Sequence, residues 1–564
     1  MSIEALLVYP RVPPTYWSMK YAMPFLGRRS AFPPLGLLTV AAMLPKDWKL
    51  RLVDLNVQEL EEADVRAADL VFTSSMLIQS ESLEEIIALC NRCGVPVVAG
   101  GPHPTASWSQ IKGVDHFVLN EAELTLPAFL ADYRAGQPQA VYQSQDKADI
   151  THTPAARWDL INPEHYAAMA LQFSRGCPHA CEFCDITALF GHRPRCKTPN
   201  QLLAECEGLY ARGWRGSLFI VDDNFIGNSR AVKTLLAELT NWQKARGYPF
   251  TLFTEASMLL AEDEALLDLM VSAGFNMVFL GIETPDAGTL AAMGKQQNLR
   301  TDLGAAVRRI QEKGIEVTAG FIVGFDGDQE DIFERQLNFI REAAIPTAMI
   351  GLLTALPGTR LHHRLEEEGR ILGVSAGGNT HDLTLNFEPR MDRSTLLNGY
   401  KRVLMELYAP KHYFARCQEL LKRLKAPQKA HRPIGLAELR ACLRSLLIQG
   451  FSRYSLAYWS FLLKGLLRKP HMAEEIITMA VKGHHYFKIT RAMVEMDRFR
   501  RGLERVRHAL ESHAGLDYRE RALTHLRRRC HRIDKDFRAY AEAALAELSA
   551  KAKLESPHTA HIAQ

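Results

Sequence analysis

Short apolar runs recur along the first two-thirds of the chain, each followed by a stretch whose apolar positions fall three and four apart. In residues 1–145 the runs at 5–9, 49–54, 70–73, 95–99 and 116–119 read as strands, and 34–44 and 81–93 as helices. Strands alternating with helices at this spacing predict a doubly wound parallel sheet, with ligands bound at the carboxyl ends of its strands. Residues 146–162 lose the periodicity, contain Thr153-Pro154 and read as a linker. A second series occupies 163–395, with strands at 171–174, 217–221, 251–254, 277–282, 317–323 and 348–354. Six βα units are two short of a closed eight-unit barrel, so a partial (β/α)6 barrel is expected. Residues 396–564 form a helical, basic C-terminal domain, and the tail from Ser556 to Gln564 is expected to be disordered.

The 564 residues carry 68 basic and 64 acidic side chains, a balance that excludes a surface built throughout for nucleic acid. No run of about 18 apolar residues suggests a spanning helix, and the first ten residues lack a signal-peptide pattern, so a cytoplasmic protein is expected. The ten cysteines are too sparse for a disulfide scaffold. Three of them cluster in Cys177-Pro178-His179-Ala180-Cys181-Glu182-Phe183-Cys184. In a reducing compartment such thiols are metal ligands or catalytic groups. Structural zinc takes four ligands, usually as two paired knuckles. No second knuckle lies near, and Cys196 and Cys206 fit no such pairing. Three thiolates suit a [4Fe–4S] cluster whose fourth iron stays open to chelate a substrate. The loop leaves the first strand of the second series, where barrel chemistry is found.

This spacing resembles the signature of the radical S-adenosylmethionine (SAM) enzymes. The resemblance implies that Cys177, Cys181 and Cys184 hold the cluster, whose open iron takes the amino and carboxylate groups of SAM. Asp222 and Asp223 stand where that family carries a Gly-Gly-Glu for the SAM amino group. Glu255 and Glu283 close the third and fourth strands of the series, Gly320 and Gly324 resemble the glycines beside the adenine, and Phe183 resembles the aromatic against it. Helix capping or a solvated strand end is the plain alternative for each carboxylate.

The N-terminal sheet resembles a cobalamin-binding domain. The resemblance rests on Tyr9-Pro10-Arg11, on Thr73 and Ser74, Ser75, Met76 with Gln79, on Gly100 and Gly101, and on Asn120 and Glu121 at strand ends. No G-x-G-x-x-G follows the first strand, which argues against a dinucleotide domain. Asp-x-His-x-x-Gly is also missing, so the resemblance implies cobalt with no histidine beneath it. Cys90 and Cys93 close a helix instead of opening one and read as packing.

The segments 171–228, 281–285 and 355–359 together resemble the hopanoid C-2 methylase branch of the cobalamin-dependent radical SAM methyltransferases. That implies methylation of an unactivated carbon in a small-molecule or lipid substrate, with electrons from a reductase or flavodoxin. In the implied chemistry one SAM methylates cobalt and a second is cleaved to the radical that activates the substrate. A non-methylating oxidation, cyclisation or rearrangement is the alternative within the family; a cobalamin-binding sensor is the alternative outside it. Residues 446–469 mix leucines, aromatics and basic ends, which suits either a packed cap helix or peripheral membrane contact. The arginines of 498–507 and 519–532 alternate with Glu504 and Glu520, a solvated helix face more than a nucleic-acid site.

Overall fold

The computed structural model describes residues 3–373, 383–425, 436–511 and 516–554. The expected disordered tail and the side chains of Arg519 and Glu520 lie outside the described residues. Strands β1 (Glu4–Tyr9), β2 (Lys49–Asp54), β3 (Leu70–Ser74), β4 (Val97–Gly100), β5 (His116–Val118) and β6 (Val141–Tyr142) form one sheet in the order β2-β1-β3-β4-β5-β6. All its pairings are parallel. Ala5, Leu6, Leu7 and Val8 are all buried, because helices cover both faces and leave no polar side. The order reverses between β1 and β3, which opens the crevice at their carboxyl ends. The two-residue β6 is too short to leave a sequence signal. The residues read as a linker are packed, with Ala148, Ile150 and Trp158 buried.

The second sheet contains β7 (Ala168–Leu171), β10 (Ser217–Ile220), β11 (Thr251–Ala256), β12 (Phe275–Glu283), β13 (Glu316–Val323) and β14 (Ala348–Leu352). Its order, β14-β13-β12-β11-β10-β7, is that of an open half-barrel of six parallel strands. Strand β7 lies three residues before the expected 171–174. Asp222 captures the N–H groups of Phe173 and Ser174, which removes them from the sheet. Ser174–Arg175 (β8) instead pairs antiparallel with Arg195–Cys196 (β9).

The C-terminal region is helical, its longest helix running over Ala473–Glu511. It locks onto the barrel through Tyr408, whose hydroxyl donates to the carbonyl of Ala348 at 2.5 Å. The same region clasps the segment 11–34, where Tyr16 and Thr490 share a hydrogen bond of 2.7 Å. That segment lies against the barrel strands: Trp17 meets Phe279 edge-on at 4.9 Å, and Phe32 lies 5.2 Å from Phe219. Among the described residues no helix is long and apolar enough to cross a membrane.

Candidate functional site

The cysteine loop begins with a turn that only glycine can make. Gly176 has φ +95°, and a Cβ there would meet the carbonyl oxygen of Arg193 at 2.8 Å. Cys177, Cys181 and Cys184 follow, all free and partly exposed. The loop is pinned from both sides. Glu182 donates its N–H to Met293 O (2.9 Å) and accepts from Leu361 N (3.0 Å), while its carboxylate pairs with Arg364 at 2.6 Å. Arg360 donates to the carbonyl of Ala180 at 2.8 Å.

Two amides point at the sulfurs: Asn224 Nδ2 lies 3.9 Å from Cys177 Sγ and Gln297 Nε2 lies 3.6 Å from Cys181 Sγ. Burial pushes the Cys177 and Cys184 thiols up, with Cys181 adding to Cys177, and Asp185 and then the other two thiols adding to Cys184. Such groups lose their protons readily only to a metal. The neighbours of Cys196 are Asp222 and Asn228, so it stands apart from the three. Three free sulfurs on one loop, two of them facing N–H donors, suit an iron–sulfur cluster with one open position.

The carboxylates beside this loop divide into two kinds. Asp222 is fully buried, and its oxygens accept from Phe173 N, Ser174 N and Ser174 Oγ at 2.7, 2.7 and 2.6 Å. Expected as a SAM ligand, it is instead committed to shaping the chain that enters the cysteine loop. Asp223 and Glu255 are the free pair. Burial raises Asp223 to about 6, helped by Asp185 and opposed by Arg175. Burial raises Glu255 to about 8, with Asp223 and Glu283 adding to it. Crowded carboxylates next to open thiols form a pocket that favours an incoming cation.

Because burial also lifts Asp222 to about 7, all three carboxyls bind protons more tightly folded than unfolded. Their stabilisation is complete below about pH 4, the unfolded value. It is lost as the pH climbs through about 6, 7 and 8. Cofactor-free protein is therefore expected to weaken from about pH 4 to about pH 8 in denaturant titrations, most steeply at the acid end, and Glu255→Gln to flatten the upper part of that slope. A stability rising over this window would contradict the assignment.

Glu283 forms a buried ion pair with Lys295, a residue without a sequence motif to mark it. The pair needs room: Glu283 takes φ +65°, and a Cβ on Gly281 would meet its Oε1 at 2.5 Å. A register shift between Gly281 and Glu283 accompanies the distortion, so strain sits where the strand meets the cysteine loop. Lys295 also lies 5.8 Å from the ring centre of Phe183 and is held charged by Glu283, Cys181 and Cys184 against its burial. Phe183 packs edge-on to Phe325 at 6.0 Å. A Cβ on Gly320 would strike Phe279 at 2.8 Å, and Gly324, at φ +104°, donates its N–H to Asp328 at 2.8 Å.

A cavity of 310 Å³ opens at the carboxyl ends of β3, β4 and β5 and extends to Gln172, Arg175 and Lys197 beside the cysteine loop. Ser74, Gly100, Gly101 and Glu121 line it. Gly101 has φ +91°, and a Cβ there would meet Ser74 Oγ at 2.5 Å; a Cβ on Gly100 would meet Val118 O at 2.7 Å. The hydroxyls of Thr73, in the wall, and of Ser75, behind it, are buried without a partner. A glycine cradle with orphaned hydroxyls beside it fits a large cofactor that brings its own polar groups. No histidine lines this cavity.

Three expected contacts lie elsewhere. Met76 is exposed and Ser75 sits off the wall. The Gln79 amide is spent within its own domain, donating to Pro10 O at 2.6 Å and accepting from Met76 N at 2.9 Å. Glu121 faces the cavity, but its carboxylate is taken by Arg195 at 2.6 and 2.8 Å.

Comparison with known proteins agrees with this layout. A B12 binding domain matches residues 28–130, the radical SAM superfamily matches 171–340, and a domain of unknown function matches 359–498. An uncharacterized methyltransferase of Synechocystis sp. is 41% identical over 491 residues, covering 86% of this chain and 92% of that protein. The hopanoid C-2 methylase of Rhodopseudomonas palustris is 34% identical over 499 residues, covering 86% and 93%. The radical SAM methyltransferase TsrM of Kitasatospora setae, solved with cobalamin and a [4Fe–4S] cluster bound, shares the fold at a TM-score of 0.57 and 16% identity, over 85% of this chain and 99% of that one. With a cobalamin-type sheet, a radical SAM half-barrel and relatives of this identity over most of its length, the chain belongs to the cobalamin-dependent radical SAM methyltransferases.

Proposed function

We propose that this enzyme methylates an unactivated carbon of a bulky apolar substrate, a lipid such as a hopanoid. The observation that carries the reading is the inner wall of the half-barrel. Phe219 and Phe253 stack at 4.8 Å with planes 2° apart, Phe32 closes over both, and Trp17 covers Phe279. Phe253 precedes Glu255 by two residues and so points to the same face of β11 as the free carboxylate. A wall of rings directly below the acid pocket selects a substrate by apolar contact. The hopanoid methylase at 34% identity lends the same substrate class.

In this reading Cys177, Cys181 and Cys184 hold the cluster. Asp223 and Glu255 receive the ammonium of SAM, while Asp222 sets the path of the loop. Lys295, fixed by Glu283, faces the carboxylate, and Phe183 with the Gly320–Gly324 strand flanks the adenine. Ser74, Gly100 and Gly101 seat cobalamin, with the hydroxyl of Thr73 in the wall available to its amides. When bound, the cluster supplies the electron that cleaves SAM and cobalamin supplies the methyl-carrying metal. The chain's share is orientation and exclusion of water, so residues 1–145 serve cobalamin, 163–395 serve SAM and substrate, and 396–564 hold the covering segment in place. The packed residues 146–162 join the first two. The electron comes from a separate reductase or flavodoxin.

The test is anaerobic reconstitution followed by assay of iron, cobalamin, 5′-deoxyadenosine and product mass. About four iron and one cobalamin per chain, with a polycyclic lipid gaining one methylene unit, is the expected result. A product of altered oxidation state without that gain would overturn methylation, and zinc in place of iron would overturn the cysteine assignment.

A further inference from the structure

Helices Leu436–Gly450 and Ser455–Arg468 form a hairpin in the C-terminal region. Its inner side is built as a core. Tyr458, Phe461, Leu462 and Gly465 are buried, Phe461 stacks on Phe414 at 4.8 Å, and Trp459 Nε1 donates to Gly450 O at 3.2 Å. Its outer side is apolar too, and none of the described residues covers it. Leu443 and Leu447 stand one turn apart on the first helix; Leu456, Leu463 and Leu467 follow at helical spacing on the second. Phe451, in the connecting turn, is 87% exposed, as is Leu456, and Leu467 is 84% exposed. A face this apolar, on a hairpin this firmly packed, is not left bare without a use.

Its charge identifies the occupant. From Leu439 to Ala473 the chain has Arg440, Arg444, Arg453, Lys464, Arg468 and Lys469 and no aspartate or glutamate. Exposed leucines and a phenylalanine interspersed with six cations, with no acid between Glu438 and Glu474, match the interface of an anionic bilayer, where apolar side chains enter the acyl boundary and cations meet lipid phosphates. A partner protein or a second copy would have to bring an acidic rim, and this surface offers none of its own.

The hairpin also touches the path to the barrel. Arg444 donates to the carbonyl of Pro24, in the short helix Met23–Leu26. That helix belongs to the same segment that lays Trp17 and Phe32 over the aromatic wall. We infer that the hairpin 439–469 seats the enzyme on an anionic membrane surface, bringing the covering segment to the lipid from which the substrate is drawn. The inference rests on the apolar-substrate reading for its purpose, and its test separates the two.

Cosedimentation of the cofactor-loaded enzyme with phosphatidylcholine vesicles containing about one-third phosphatidylglycerol reads it directly. The bound fraction is expected to fall about tenfold on pure phosphatidylcholine, and about as far in the triple variant Phe451→Glu/Leu456→Glu/Leu467→Glu. These positions are too exposed to disturb the fold, so thermal unfolding and the release of 5′-deoxyadenosine should match the parent enzyme. Failure of the parent enzyme to bind, or equal binding by the variant, would overturn the docking surface. So would a concentration-dependent dimer that the variant dissociates in place of vesicle binding. Methylation of detergent-dispersed lipid without vesicle binding would sink the docking alone. Vesicle binding lost in the variant, with no methylated lipid formed, would support docking and refute the lipid substrate.

Discussion

Cys181→Ala is expected to abolish reductive cleavage of SAM while leaving the fold intact. Cys181 is the middle thiol of the loop and is partly exposed, so its loss opens no cavity in a core. Its neighbours stay anchored without it, through Cys177 N on Gly191 O at 3.2 Å and Glu182 N on Met293 O at 2.9 Å. The loss therefore falls on the cluster. Losing a partner outside the coordination sphere costs a metal site roughly 10- to 100-fold, and losing one of three ligands exceeds that. Iron per chain should drop well below four and 5′-deoxyadenosine should vanish from anaerobic assays. Cys196→Ala supplies the control, because its neighbours are Asp222 and Asn228, not the loop thiols. It should retain both iron and cleavage. Full iron and residual SAM cleavage in Cys181→Ala would mean that another residue completes the site.

The strands were readable because burial on both faces leaves unbroken apolar runs, and the cysteine loop because its spacing is rare. What the chain hid were pairings made across sequence distance. Strand β7 was displaced from its apolar run by Asp222, 48 and 49 residues away from the N–H groups it captures. Lys295 sits in Gly294-Lys295-Gln296 with nothing to mark it; its meaning comes from Glu283 and from the thiols it faces. Gln79 erred in the other direction. A polar residue after a strand end suggested a ligand contact, yet its amide closes the turn at Met76 and ties it to Pro10, 69 residues away. Among the carboxylates, sequence position could not separate Asp222 from Asp223. The hydrogen bonds of Asp222 do so at once, since a carboxylate whose two oxygens already accept from two N–H groups and a hydroxyl has little left for SAM.

Glu121→Ala is expected to cost about 3 kcal/mol, because it strips a half-buried guanidinium of its counter-charge. The Glu121 side chain is 1% exposed and that of Arg195 16%. It also accepts from Ala148 N at 2.5 Å and lies 3.6 Å from Arg175, so one carboxylate of the first sheet holds three points beside the barrel. Arg175 keeps Glu123 at 2.8 Å when Glu121 is removed. Arg195 keeps only the carbonyls of Ala148 and Phe190, one bond to each terminal nitrogen, while its Nε has no partner and its charge no counter-charge. The penalty should therefore fall mainly on Arg195. Removing it as well, in Glu121→Ala/Arg195→Ala, should recover much of the stability, as neutral replacement of a buried pair commonly does. Glu121→Gln should lie between the two, retaining one acceptor without the charge.

Urea unfolding of the cofactor-free protein measures all three variants. Bound cobalamin per chain supplies the second reading, because the clamp joins the cavity wall at Glu121 to Arg175, two residues before Cys177. A Glu121→Ala protein as stable as its parent would show that water reaches Arg195 and that the two sheets are held by apolar packing alone. A double variant no better than the single would place the cost in Ala148 N and Arg175 instead, and move the clamp from Arg195 to the packed linker.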